Sequence, residues 1–311
     1  MQERRIGAGT SYQDFGRSGA KHTLGVARLF AFVFATARAI LSRAMTLEEM
    51  LGSAADGAVT VAPGWGQGRA TFGGLVGGLL VARAEALCGD CARRLRSASV
   101  AFVGPVGSGA ATLDGTVLRA GSSTTQVEVT IAQDGEACAV LLASFSEDRA
   151  SSIAVDPAPR NPRPTLPAPD TIEPLVSVPG VTPDFLAHVE LHYTAGAPPL
   201  SGAAEPDFGG WMRFAEPPAT FGDRELVTLA DAWPPAIMPM LQHPVSLSSL
   251  AWTFEPVAWP ERGERDAPDA YWQYDVRTLA AGDGYAHTTA RIWDHRGRLR
   301  ALSRQTIAFY G

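Results

Sequence analysis

Residues 113–145 read LDGTVLRAGSSTTQVEVTIAQDGEACAVLLASF. Apolar and polar residues alternate through it, and an Asp134-Gly135 pair punctuates it, which predicts three antiparallel strands with a tight hairpin turn. Residues 274–309 read YDVRTLAAGDGYAHTTARIWDHRGRLRALSRQTIAF and follow the same plan. VLRAGSS matches TLAAGDG, and QDGEACAVLLASF matches HRGRLRALSRQTIAF. Working outward, each stretch follows a strand candidate: SASVAFVGPV at 97–106 and SLSSLAWTFEPV at 246–257, with VAFVGPV and AWTFEPV in matching positions. Each strand in turn follows a helix candidate, TFGGLVGGLLVARAEAL at 71–87 and a segment at 222–241. The order helix, strand, strand, strand, strand thus occurs twice, which indicates an internal duplication.

One helix followed by a run of antiparallel strands is an α+β unit. The helix must bury its apolar face on the sheet. A lone unit would leave a sheet edge exposed, and two units pairing edge to edge remove it. Between them, residues 157–183 contain nine prolines. Proline cannot donate to a sheet ladder or continue a helix, so 151–183 reads as an extended linker. The expected organisation is an N-terminal extension at 1–44, a first unit at 45–150, the linker, and a second unit at 184–311.

The extension holds seven Lys or Arg, two acids and an apolar patch, LFAFVFATA. Nine residues are too few to span a bilayer, which takes about 20. The patch also lies too far from the start, and is followed by Arg38 and Arg43, for a secretory signal. MTLEEML from Met45 reads as a natural start leading into a helix, so 1–44 is expected to be disordered or to precede the true start.

The net charge of −6 gives no reason to expect nucleic acid as a partner. Lys21 is the only lysine, which excludes a P-loop or Schiff-base lysine from the body of the chain. The three cysteines, Cys88, Cys91 and Cys138, do not make a four-ligand zinc set, and so few fit a reducing, cytoplasmic compartment. In HVELH, His188, Glu190 and His192 share a strand face without an evident fourth ligand, so no metal is expected. FGGLVGG lacks the strand and downstream acid of a dinucleotide fingerprint, and no G-x-S-x-G elbow occurs. No cofactor is implied.

Strand alternation then sorts the polar residues. In the last strand Leu299, Ala301, Ser303, Gln305 and Ile307 share the apolar face, which puts the Gln305 amide on the helix-facing side. The same alternation groups Ser246, Ser248, Leu250, Trp252 and Phe254. Asp231 lies in LADAWPPA (229–236), in the segment that should cover this sheet. An acid, a hydroxyl and an amide are therefore expected to converge in the second unit.

FGGLVGGLL (72–80), PDFGGWMRFAEP (206–217), LADAWPPA, SLSSLAWTFEPV and RGRLRALSRQTIAF together resemble the acyl-CoA thioesterase II family of double hotdog proteins. The resemblance covers most of 45–311. It implies two tandem hotdog units, each a helix wrapped by an antiparallel sheet, joined in one pseudo-dimeric sheet. It implies hydrolysis of an acyl-CoA or related acyl thioester by water held by Asp231, Ser246 and Gln305, with Ser248 as the alternative hydroxyl. Gly73, Gly74 and Trp252 are expected to contact substrate. A homodimer of double hotdogs is expected, with no stable membrane insertion. The rival readings are an enoyl-thioester hydratase of the same fold, which needs a histidine beside the acid, and a non-catalytic acyl-thioester-binding protein.

Overall fold

The computed structural model describes residues 45–89, 92–261 and 264–310. The expectations for 1–44, and Cys91, lie outside the described residues. Helix α1 (Leu47–Ala55) opens the described chain with a capping box: Thr46 Oγ1 accepts from Glu49 N–H, and the Glu49 carboxylate accepts from Thr46 N–H at 2.8 Å. Strand β1 (Ala58–Val61) and a small hairpin of β2 (Gly66–Gln67) and β3 (Ala70–Thr71) lead into helix α2 (Gly73–Cys88). Strands β4 (Arg94–Phe102), β5 (Gly109–Ala120), β6 (Thr124–Gln133) and β7 (Glu136–Ser146) complete the first repeat.

The second repeat begins with β8 (Val189–Ala195) and β9 (Phe208–Phe214), followed by helix α3 (Asp223–Ala230). It ends with β10 (Ser246–Pro256), β11 (Trp272–Gly282), β12 (Tyr285–Trp293) and β13 (Leu299–Tyr310). Eleven strands form one antiparallel sheet in the order β1-β5-β6-β7-β4-β10-β13-β12-β11-β9-β8. Outward from its centre, β4-β7-β6-β5-β1 and β10-β13-β12-β11-β9 repeat one order. The duplication seen in sequence is therefore the symmetry of the sheet, a double hotdog. The two halves join where Val100 faces Trp252 and Ala101 faces Ala251 across β4 and β10. This pairing covers an edge that each half alone would leave open.

Local chemistry repeats as well. Asp134-Gly135 and Asp283-Gly284 both have positive φ at the two turn positions, as a type I′ hairpin requires. Both β5 and β11 bulge at the matching leucine, Leu118 and Leu279, and both side chains are exposed.

Helix α2 is buried nearly all round, because the sheet covers one side and α3 the other. Its glycines make this possible. A Cβ at Gly74 would stand 2.2 Å from the Thr228 carbonyl oxygen, and one at Gly78 would stand 2.0 Å from Thr228 Oγ1. These positions are one turn apart and form a groove into which α3 settles. The contacts run Gly74 to Thr228 and Gly78 to Arg224, so the two helices are antiparallel.

One expectation needs correction. The helix expected over 222–241 ends at Ala230. Pro234 and Pro235 remove two amide donors, and each disfavours helical backbone in the residue before it. The chain turns at Asp231 and passes through a short 3-10 turn at Met238–Met240. The Pro-rich segment, for its part, is held against the second repeat by hydrogen bonds. Gln273 Nε2–H donates to Pro164 O at 2.7 Å, Trp211 Nε1–H to Pro167 O at 2.8 Å, and Leu175 N–H to Leu191 O at 2.7 Å.

The helix groove gives a first prediction. Gly78→Ala forces a methyl into Thr228, so the helices must separate. The expected loss is about 1–3 kcal/mol, as for other overpacked cores. Denaturant unfolding should show the lower midpoint with an unchanged m-value. A wild-type midpoint would refute the close helix contact.

Candidate functional site

Asp231 sits where α3 stops, at the C-cap position. Its backbone turns there because of the downstream prolines, and its carboxylate is thereby directed at the start of α2. A Cβ at Gly73 would lie 2.7 Å from Asp231 Oδ2, and the Gly74 N–H donates to the carboxylate. The first N–H groups of a helix have no intrahelical acceptor, so an acid is well placed to take one. From the sheet, Gln305 Nε2–H donates to Asp231 Oδ1 at 2.5 Å. The other end of that amide is also engaged, since Ser249 Oγ–H donates to Gln305 Oε1 at 3.3 Å.

Asp231 and Gln305 are thus brought together, as the alternation on β13 implied. The hydroxyl is a different one. Ser246 pairs with Tyr310 at the far end of β10 and is exposed, and Ser248 is exposed too. A β-bulge between Ser249 and Ala251 shifts the phase of the strand. Ahead of the bulge Leu247 and Ser249 face inward; beyond it Trp252 and Phe254 do. Counting strictly by twos across residues 246–254 crosses this extra residue and places the serines on the wrong face. The LSSLA sequence carries no glycine or other local mark of the bulge.

Trp252 also differs from expectation. It is 1% exposed, its Nε1–H donates to Ser303 Oγ at 2.8 Å, and its ring occupies the space left by Gly77. Its role is packing beneath the site, between β10, β13 and α2. Gly73 and Gly74 lie at the site, against the Asp231 carboxylate.

Burial raises the pKa of Asp231 from 3.8 to about 7, against the lowering effect of the Gln305 and Gly74 hydrogen bonds. Desolvation penalises the charged form, and two donors recover only part of that penalty. The acid is therefore poised to exchange a proton near neutral pH, as a general base requires. The residues of HVELH are accounted for otherwise. His188 stacks on Trp65 at 4.0 Å, while His192 and Arg213 bond to Glu190. Burial alone would push Glu190 up, but hydrogen bonds from Tyr271, His192 and Arg213 outweigh it and hold the acid at about 2. No cluster of metal-ligating side chains occurs among the described residues. No helix among them is long and apolar enough to cross a membrane.

A protonation balance follows. The folded chain binds the Asp231 proton more tightly than the unfolded chain does. That contribution to stability is full below pH 4 and is lost as pH rises to about 7. Asp231→Asn removes the titration. Relative to the wild type, its melting temperature should therefore rise between pH 5 and pH 8 by several degrees, at about 2–4 °C per kcal/mol for a chain of this size. The difference between the two proteins should be markedly smaller at pH 5 than at pH 8. Parallel melting curves at both pH values would refute the buried-acid assignment.

Comparison with known proteins adds the family. Residues 61–146 match the model of the acyl-CoA thioesterase N-terminal domain, and residues 162–309 match that of the acyl-CoA thioesterase C-terminal domain. No curated protein matches the chain. Among solved structures, a protein of unknown function with a hot dog fold from Alicyclobacillus acidocaldarius is 20% identical, with a TM-score of 0.71 over 82% of this chain and 92% of that one. An acyl-CoA thioesterase II from Mycobacterium marinum is 21% identical, with a TM-score of 0.60 over 81% of this chain and 92% of that one. At these identities the solved structures corroborate the fold.

Proposed function

This chain belongs to the acyl-CoA thioesterase family, and from that premise we propose that it hydrolyses acyl-CoA, or a closely related acyl thioester, by direct attack of water activated at Asp231. The observation that carries this reading is the contact of Gln305 with a carboxyl whose pKa burial lifts to about 7.

The hydrogen-bond directions define what each group can do. Gln305 gives its N–H to Asp231 and receives the Ser249 hydroxyl hydrogen, so its amide cannot rotate without losing both bonds. With its hydrogen committed, the Ser249 oxygen offers lone pairs to a water. That water can give one hydrogen to Ser249 and the other to Asp231, which leaves an oxygen lone pair free to attack. Fixing the nucleophile in this way removes much of the entropic cost of attack.

In the proposed step Asp231 takes the water's proton as the C–O bond forms, and negative charge moves to the thioester oxygen. The Gly73 N–H, in the first turn of α2 where an amide has no intrahelical acceptor, is the candidate donor for this oxyanion. One such donor is worth about 3 kcal/mol in other enzymes. Collapse of the intermediate breaks the C–S bond, and the thiolate leaves with the proton that Asp231 received. The free acid and thiol result, and Asp231 is again ionised. The hydratase alternative needs a histidine at the acid, whereas the groups bonded to Asp231 are Gln305 and Gly74.

Release of free thiol from an acyl-CoA panel tests the reading. Asp231→Asn should lower kcat by about 10²–10⁴, the usual range for a lost general base. Ser249→Ala should lower kcat clearly, while Ser246→Ala should stay close to wild type. An active Asp231→Asn enzyme would overturn the mechanism, and a dead Ser246→Ala with an active Ser249→Ala would overturn the bulge assignment. Because the ionised acid is the base, kcat/KM should fall about tenfold per pH unit below an apparent pKa near 7.

A further inference from the structure

Two residues past Asp231 the chain carries Trp233, which enters a group of aromatic side chains on the inner face of the second repeat. Tyr193 comes from β8, Phe208 from β9 and Tyr274 from β11. The Trp233 ring stacks on Tyr274 with centroids 5.5 Å apart, meets Tyr193 edge-on at 4.8 Å and tilts against Phe208 at 5.6 Å. Gly210 makes the room, since a Cβ there would stand 2.6 Å from the Trp233 ring. The group adjoins the candidate site. Burial first, then the charges of Asp231 and Tyr193, push the Tyr274 phenol upward.

Two polar atoms in this apolar setting have no hydrogen-bond partner among the described residues, the Tyr193 hydroxyl and the Trp233 Nε1–H. Trp233 is 4% exposed. Buried donors are normally paired, because an unpaired one forfeits the hydrogen bond it makes to water in the unfolded chain. The indole N–H can only donate, and the phenol can donate as well. Their rings meet edge-on with centroids 4.8 Å apart, and both donors are taken to serve one acceptor. A carbonyl oxygen has two lone pairs and accepts two such bonds. A carboxylate is disfavoured there, since it would be a second buried negative charge near Asp231 with no cation among the four aromatic side chains.

We propose that this aromatic group receives the acyl chain, and that Tyr193 and Trp233 select acyl thioesters bearing a second, neutral carbonyl oxygen on that chain. A saturated chain would leave both donors unpaired, so discrimination comes as much from rejecting it as from binding the oxo form. The proposal rests on the thioesterase reading given above.

The test compares saturated acyl-CoAs with oxoacyl-CoAs of equal length, the carbonyl placed at successive carbons, with the matching hydroxyacyl-CoAs as a third arm. At least one oxo isomer should show a kcat/KM about tenfold or more above the saturated chain, the size of one well-made hydrogen bond, with the hydroxy form between them. Tyr193→Phe deletes one donor with little change of shape, Trp233→Phe deletes the other together with one ring, and each should cut that ratio several-fold. Equal rates for all three classes, or an oxo preference that survives both variants, would overturn the proposal. Calorimetry with non-hydrolysable thioether analogues separates this outcome from failure of the thioesterase reading. If no thioester turns over but the oxo analogue binds more tightly than the saturated one, and Tyr193→Phe removes the difference, the hydrolysis reading falls and the selection stands. Equal binding of the two analogues overturns the selection on its own.

Discussion

The site depends on how closely α2 and α3 can approach. Gly74 and Gly78 leave no side chain between the helices, and Thr228 fills the groove with its carbonyl and hydroxyl oxygens. At that separation the last residue of the α3 turn reaches the first amides of α2. A methyl at Gly73 would already press on the Asp231 carboxylate. The same approach puts the acid against the α2 amides and takes much of its surface out of water, and that desolvation raises its pKa. Helix packing and proton chemistry are therefore one constraint here. A stable core would favour relieving the buried acid, and the proposed function would require keeping it.

Much of this was legible in the amino-acid sequence because the relevant signals are local. Hairpin turns announce themselves through Asp-Gly pairs, strands through period-two alternation, and the duplication through matching order. Gln305 falls on the face that alternation assigns it because the irregularity of β13 lies at Arg300, and the strand carries no extra residue from Ala301 to Tyr310. Ser249 was missed for the converse reason. A bulge is set by how two strands and the layer beneath them fit together, and LSSLA reads the same with or without one. The length of α3 could have been read more closely, since two prolines follow Asp231 by three and four residues. Trp252 illustrates another limit: an aromatic residue in a strand packs or binds according to what covers it, and here Gly77 and Ser303 decide.

Sheet symmetry shows how a duplicated chain came to carry one such site rather than two. The antiparallel helix pair has two ends. At one end Asp231 meets Gly73 and Gly74. At the other, Glu85 of α2 meets Asp223 at the start of α3. Burial raises both of these acids, Glu85 to about 8 and Asp223 to about 6. An acid from one repeat facing the helix start of the other is thus a feature of both ends.

What differs is the strand layer. Trp252 faces Gln305 across β10 and β13, whereas the matching pair across β4 and β7, counted from the bulge that each of β10 and β4 carries, is Ala98 and Ala143. The position matching Ser249, just ahead of the bulge, is Leu95. Without an amide and a hydroxyl, the acid at the second end has nothing to orient a water against it. The two repeats have therefore divided the work. The first contributes a glycine-rich helix start, which must be small and turn its first amides toward the acid. The second contributes the acid, the hydroxyl and the amide, which must be polar and precisely faced. Because each repeat supplies what the other lacks, neither half alone would contain the arrangement, and the continuous sheet that joins β4 to β10 is what holds the two contributions in register.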